Sequence, residues 1–339
     1  MRSIAQEYLN DHIHCTDRLL REGMEEAGFK HPLSVIQHWK KQMGCETHTT
    51  HIKPTLMPQQ KEARIAFIER QKEDDGLHFK SPHNTVHLDE VWYYLDRDSS
   101  KELRFPGQVA VSPRRTHSKS HITKVMALVA LGYPHQRPDG TFFDGKIGIW
   151  FCVESVPAQR SSVNRSAGTP VTTPYVMTAD RYVDFYTRVG GVRDRIRQQL
   201  HHLKEHDIQL QHDGARPHTG QGAVQRINDY LQQDNWRATL VTQPPQIPDL
   251  NVLDLGLFNG LKRKADRVKG AGKNIDTCIE RMRQAYQDYD SNAIGSVYGV
   301  LYEVYRLIVF CNGDNTYKLP HAGVRTRRAV NGQWVNLNV

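Results

Sequence analysis

The 339-residue sequence predicts an α/β protein. Three strand-like segments follow one another between residues 85 and 155. Helical and strand patterns then alternate as far as residue 269. Thr85–Leu95 is apolar on both faces, as in a buried strand, and Asp207–Asp213 alternates with Ile208 and Leu210 inward.

The elements follow in order. The first 75 residues read as helical pieces rich in charge and histidine. Leu33–Gly44 carries Leu33, Ile36, Trp39 and Met43 at steps of three and four, a single apolar stripe closed by Gly44. Trp39 is either a DNA-stacking residue or core, and its place on the stripe favours core. The extended connector THIKPTL leads to a second helical stretch, Gln59–Glu73, around Ile65 and Ile68. Thr85–Leu95, Ile122–Leu131 and Lys146–Ser155 read as buried strands. Ser155–Thr178 is polar, holds Pro157, Pro170 and Pro174, and is expected to be irregular. Ala179–Leu203 is helical, Asp207–Asp213 a short strand, Thr219–Gln233 helical, Ala238–Pro244 a strand and Val252–Lys269 helical. Helices Asp276–Asp288 and Val297–Val309 close the chain before a polar tail.

Composition bounds the function. Hydrophobic residues at 38% and charged residues at 24% supply a core and exclude wholesale disorder. No apolar run approaches the roughly 18 residues of a membrane helix, so no membrane association is expected. The start, MRSIAQEYLNDH, lacks the apolar region of a secretory signal. Five scattered cysteines, an odd number, fit reduced thiols rather than a disulfide framework. Cys45, His48 and His51 have metal-ligand spacing but no fourth ligand at zinc-finger distance.

Lys and Arg total 45 against 37 acids, a net +8 with His neutral. That excess points only weakly to a polyanion. Its placement says more. Leu255–Lys273 holds six basic residues (Lys262, Arg263, Lys264, Arg267, Lys269, Lys273) against one acid, Asp266. This is either a solvated helix face or a phosphate-contacting surface. Arg114, Arg115 and Lys119, between the first two strands, are further candidates.

Three acids interrupt the core pattern. Asp89 lies inside an apolar strand, where a carboxylate is costly to desolvate. Asp213 ends a later strand ahead of GARPH, and Asp254 stands in the first turn of a helix after PPQIPDLNVL. Taken singly, Asp213 is explained as a turn cap and Asp254 as a first-turn acid favoured by the helix dipole. Together they would form an oxygen-rich cage of the kind Mg²⁺ prefers. Glu90, next to Asp89, belongs to the opposite strand face and is not expected to be a direct ligand.

The words around these acids, HLDEVWYYL, QHDGARPHT and QPPQIPDLNVLDLGLF, resemble the three catalytic blocks of mariner-type DDE/D transposases. IKPTL, KVMALVAL, FDGKIGIW, NRSAGT and GDNTYKLPH stand in the matching order, so the resemblance runs from about Leu33 to the C-terminus. It implies a ribonuclease-H-like mixed sheet flanked by helices. It also implies hydrolysis of DNA at transposon terminal inverted repeats, followed by 3′-hydroxyl strand transfer into target DNA. Asp89, Asp213 and Asp254 match the three metal-binding catalytic acids, with 40 residues between the last two, similar to a longer-spaced DDD branch. Two Mg²⁺ or Mn²⁺ ions, double-stranded DNA partners, a homodimer and a nuclear location follow from the same resemblance. Asp249 is the rival third acid; the later position fits the family, leaving Asp249 as a helix cap.

Two departures bear on this reading. Gly214 stands where the second block usually has Asn, and the 88 residues before Asp89 are short for two helix-turn-helix units. The expected organisation is therefore a helical remnant of a DNA-binding module at 1–75, a catalytic domain at 80–275 and a helical extension at 276–339. The competing reading is a catalytically inactive or domesticated DNA-binding remnant.

Overall fold

A computed structural model describes residues 17–44, 53–76, 78–95, 122–163, 165–245, 247–267, 274–320 and the backbone of 334–335. It divides into two compact units, Met1–Pro54 and Thr55–Val339.

In the first unit, helices α1 (Asp17–Glu26) and α2 (Leu33–Gln42) pack through Leu20, Met24 and Ile36, with Phe29 and Trp39 against them. Trp39 is thus core, as its position on the stripe implied. Gly28, at φ 90°, makes the left-handed turn that ends α1, where the Phe29 amide donates to the Met24 carbonyl at 2.8 Å. An ion pair between Lys40 and Asp17 closes the pair of helices.

The second unit is built on a five-stranded mixed sheet. Its strands are β1 (Thr85–Tyr94), β2 (Lys124–Leu131), β3 (Lys146–Phe151), β6 (Ile208–His212) and β7 (Ala238–Thr242). The order across the sheet is β7-β6-β1-β2-β3. β1, β2 and β3 pair antiparallel; β6 lies parallel to β1, and β7 parallel to β6. Alternation along β1 explains its apolar character: Val86 and Leu88 enter one core, Val91 and Tyr93 the other.

The first core is covered by α4 (Ala179–Thr187), α5 (Val192–Gln199) and α6 (Ala223–Leu231). The second is covered by α7 (Phe258–Arg267), α8 (Ile275–Gln287) and α9 (Ser291–Phe310). Helix α9 has the length and mean hydropathy, 1.4, of a membrane-crossing segment. Its Tyr298, Leu301, Val304, Tyr305 and Ile308 are nevertheless buried in the protein core.

Four expectations need correction. The proline-rich segment after Ser155 is not irregular: β4 (Val153–Pro157) and β5 (Pro170–Pro174) pair antiparallel as a hairpin. Prolines end both of its strands, where a missing amide is tolerated. The helix expected over Ala179–Leu203 is broken at Gly190–Gly191, where a Cβ on Gly191 would stand 2.4 Å from the Phe185 carbonyl oxygen. Helix α3 (Pro58–Glu69), assigned from sequence to the N-terminal region, buries Phe67 and Ile68 in the second core. Helices α8 and α9, read as an extension, pack in that same core rather than beyond it.

Candidate active site

The local fold brings the acids together where β6 ends, beside the middle of β1. Asp89 is carried by β1, where its carboxylate accepts the Glu90 amide at 2.8 Å. Asp213 follows directly on β6 and accepts the Ala215 amide at 3.1 Å. Gly214 does not leave it unsupported. The imidazole of His218, on the helical turn Arg216–Thr219, bonds Asp213 through Nδ1 and Glu90 Oε1 at 2.8 Å through Nε2. With carboxylates on both nitrogens, the ring donates twice and is therefore an imidazolium.

Asp254 arrives by a separate construction. After the 3-10 turn Pro248–Leu250, buried Asn251 donates to the Leu88 carbonyl of β1 at 3.1 Å and accepts the Leu253 amide at 3.1 Å. Gln211 of β6 holds the Leu250 carbonyl at 2.7 Å and Gln243 at 3.1 Å. The π-helical turn Leu253–Leu257 then presents Asp254 beside the Asp89 carboxyl.

Electrostatics reflect this crowding. Burial, then the charges of Asp254, Glu90 and Asp213, push the Asp89 carboxyl up to about 9. Partial desolvation raises Asp254 as well, opposed by the Asp89 carboxyl beside it and by Lys262. Desolvation would raise Asp213 too, but His218 outweighs it and holds the carboxyl below its usual range. For His218 burial acts downward, yet its bonds to Asp213 and Glu90 hold it up at about 10. Four carboxylates around one imidazolium leave an excess of negative charge that a cation would neutralise. The all-oxygen donor set of the three aspartates fits a hard divalent ion.

The structure thus gathers Asp89, Asp213 and Asp254, drawn from positions 165 residues apart in the chain. Glu90 does lie on the opposite strand face, as expected, but His218 ties it to Asp213, and the ligand-capable atoms of the three lie within 4.8 Å of one another. His218 was missed in the sequence; the one available signal was its place in GARPHT. Asp249 is not a helix cap. Its carboxylate pairs with Arg64, which is 1% exposed, at 3.0 Å, and accepts the Tyr317 hydroxyl. Asn251 takes the capping part instead.

Of the basic residues, Lys262 lies beside Asp254, while Arg263 and Arg267 are exposed on α7. Lys264, on the same helix, donates from its ammonium to the Asp288 carbonyl at 2.5 Å, at the C-terminus of α8. Arg114, Arg115, Lys119, Lys269 and Lys273 lie outside the described residues, as do Cys45, His48 and His51.

Fold and site define the class: a ribonuclease-H-like α/β unit with a cluster of aspartates beside the middle of its first sheet strand. No protein-family model and no curated protein matches the sequence. Solved structures do match the fold. The Mos1 mariner paired end complex with Mn matches at 17% identity and a TM-score of 0.60, over 94% of this chain and 80% of that one. A pre-cleavage Mos1 transpososome matches at 16% identity and a TM-score of 0.61, over 94% and 80% of the two chains. The Mos1 strand transfer complex matches at 17% and 0.54, over 94% and 79%. The protein shares the fold of these transposases.

Proposed function

We propose that the protein is a mariner-type DNA transposase of a DDD branch, which cuts DNA at transposon terminal inverted repeats and joins the freed 3′ end to target DNA. The observation that carries this reading is that Asp213, after β6, and Asp254, in the turn after Asn251, lie close enough to Asp89 on β1 for their charges to raise its carboxyl. The fold likeness to Mos1 complexes bearing transposon ends, and to others with Mn or Mg, supports it.

Asp89, Asp213 and Asp254 would hold two Mg²⁺ or Mn²⁺ ions. Bound there, such ions would activate a water or a 3′-hydroxyl and stabilise the leaving oxygen of the phosphodiester. The chain's own residues set the geometry. His218 fixes the Asp213 carboxylate, and Asn251 fixes the turn that aims Asp254. Lys262, with Arg263 and Arg267 along the same helix, would carry the phosphate backbone towards the acids. Arg114, Arg115, Lys119 and Lys269 complete the proposed DNA surface. A DNA-reading module within Met1–Pro54, homodimeric pairing of two ends and a nuclear location belong to the same reading.

The test is incubation of the purified full chain with linear DNA ending in the repeats that flank its gene, in Mg²⁺ or Mn²⁺. End cleavage followed by joining to a second DNA is the expected result. Binding of those ends without cleavage or joining would refute the transposase and leave a DNA-binding remnant.

A further inference from the structure

Glu90 follows Asp89 on β1, so its side chain enters the opposite face of the strand, among Tyr182, Tyr186 and Cys152. The carboxylate is only 12% exposed, and among the described residues its one ion pair is with His218. Burying a carboxylate is costly unless it is paired and hydrogen-bonded. Nothing in the proposed chemistry of the three aspartates accounts for that cost.

We propose, on the reading of the three aspartates as a metal centre, that Glu90 is a positioning residue which acts on the Asp213 carboxylate through the ring of His218. His218 stands on the turn Arg216–Thr219, five residues beyond Asp213. So short a tether brings the imidazole to the carboxylate but leaves the ring free to turn about its own bonds. Glu90 stops that rotation from the far side. Its Oε1 accepts from Nε2 at 2.8 Å, while Nδ1 donates to Asp213 Oδ1. The Tyr182 ring closes one face, stacked on the imidazole at a centroid distance of 4.1 Å and an angle of 22°. Tyr182 is itself buried, its hydroxyl 2.9 Å from that of Tyr186 and 3.2 Å from His212 Nδ1. A cation against an aromatic face gains further attraction. Strand β1 and helix α4 thus fix one ring between them.

The consequence falls on a single oxygen. Both bonds to Asp213, from His218 and from the Ala215 amide at 3.1 Å, end on Oδ1. Oδ2 has no bond among the described residues and is the oxygen left to face a cation. Without Glu90 the ring can swing off Asp213, and the carboxylate can then rotate. An outer partner that orients a ligating carboxylate typically sets metal affinity by about 10–100-fold.

Glu90, Asp213 and His218 do not make a second metal site. The two ring nitrogens point away from each other, and each bears a hydrogen directed at a carboxylate, so neither offers a lone pair to an ion.

The test is calorimetric titration of the full chain with Mn²⁺, without DNA, for wild type, Glu90→Ala, His218→Ala, the double variant and Glu90→Gln. Glu90→Ala should weaken binding about 10–100-fold, as His218→Ala does. The double variant should bind no more weakly than His218→Ala, because Glu90 has no lever once the ring is gone. Glu90→Gln keeps a group that can bond Nε2 and should stay within about threefold of wild type. Losses that add in the double variant would overturn the proposal and make Glu90 a ligand of the ion. Unchanged affinity in Glu90→Ala would overturn it too. No Mn²⁺ uptake by wild type would overturn the metal centre itself, whereas uptake without DNA cleavage would fault the transposase reading alone. Melting in EDTA establishes that the variants fold. Should the alanine chains not fold, Glu90→Gln decides: affinity near that of wild type supports the positioning role, and a loss beyond about tenfold overturns it.

Discussion

Asp249 and Asp254 stand five residues apart and meet opposite surroundings. Asp249 neutralises a guanidinium buried among α3, the turn Pro248–Leu250 and Tyr317. Asp254 faces other acids. Asp249→Ala leaves the Arg64 charge buried and uncompensated, which is expected to cost about 3–5 kcal/mol and to show as a lower urea midpoint. An unchanged midpoint would contradict the buried pair. His218→Ala unties Asp213 from Glu90, and divalent-metal affinity measured by calorimetry should fall about 10–100-fold. Little of this contrast was legible beforehand. The three aspartates stood out because carboxylates interrupt apolar patterns. The partners of Asp249 and Glu90 lie 185 and 128 residues away, and local spacing carries no trace of them; His218 stands only five residues beyond Asp213.

At the scale of elements, the turn from Leu250 to Leu257 and helix α7 form one device. Asn251→Ala would leave the Leu88 carbonyl and Leu253 amide without their buried partner, at a cost of about 1–3 kcal/mol, and would let Asp254 drift. On α7, Lys262→Gln should weaken DNA binding and reduce the salt dependence of log K by about one phosphate contact. Lys264→Gln should instead lower the melting temperature with the salt slope unchanged, because its ammonium is committed to the Asp288 carbonyl. The reverse pattern would exchange their assignments. Thr85–Leu95 was legible because it is apolar on two faces, and Ile208–His212 because Ile208 and Leu210 alternate inward. The break at Gly190–Gly191 and the hairpin after Cys152 were not, since both depend on close backbone approaches and pairings that composition does not encode.

For the whole molecule, buried titratable groups set the response to pH. His87, enclosed between β1 and α9 beside Tyr298, is held down to about 3 by burial. Its folded value lies below the ordinary 6.5, so its contribution to stability is complete above pH 6.5 and is lost as pH falls towards 3. Between pH 7 and 5 this group alone withdraws about 2 kcal/mol. His87→Gln should therefore lose less stability over that interval than wild type; an equal loss would contradict the assignment. Asp89 has the opposite sign. Pushed up to about 9, its carboxyl favours the fold while protonated, and that contribution fades as pH rises from about 4 towards 9. A cation can replace the proton, so the Tm rise caused by Mg²⁺ should be larger at pH 8 than at pH 6.

The central claim is that Asp89, Asp213 and Asp254 form one metal-dependent centre for cutting DNA. It is tested most directly by nicking of terminal-repeat DNA in Mn²⁺, with wild type, Asp254→Ala and Asp249→Ala compared at a temperature where all three are folded. The structure predicts cleavage by wild type and by Asp249→Ala, and none by Asp254→Ala. Full cleavage by Asp254→Ala would contradict it.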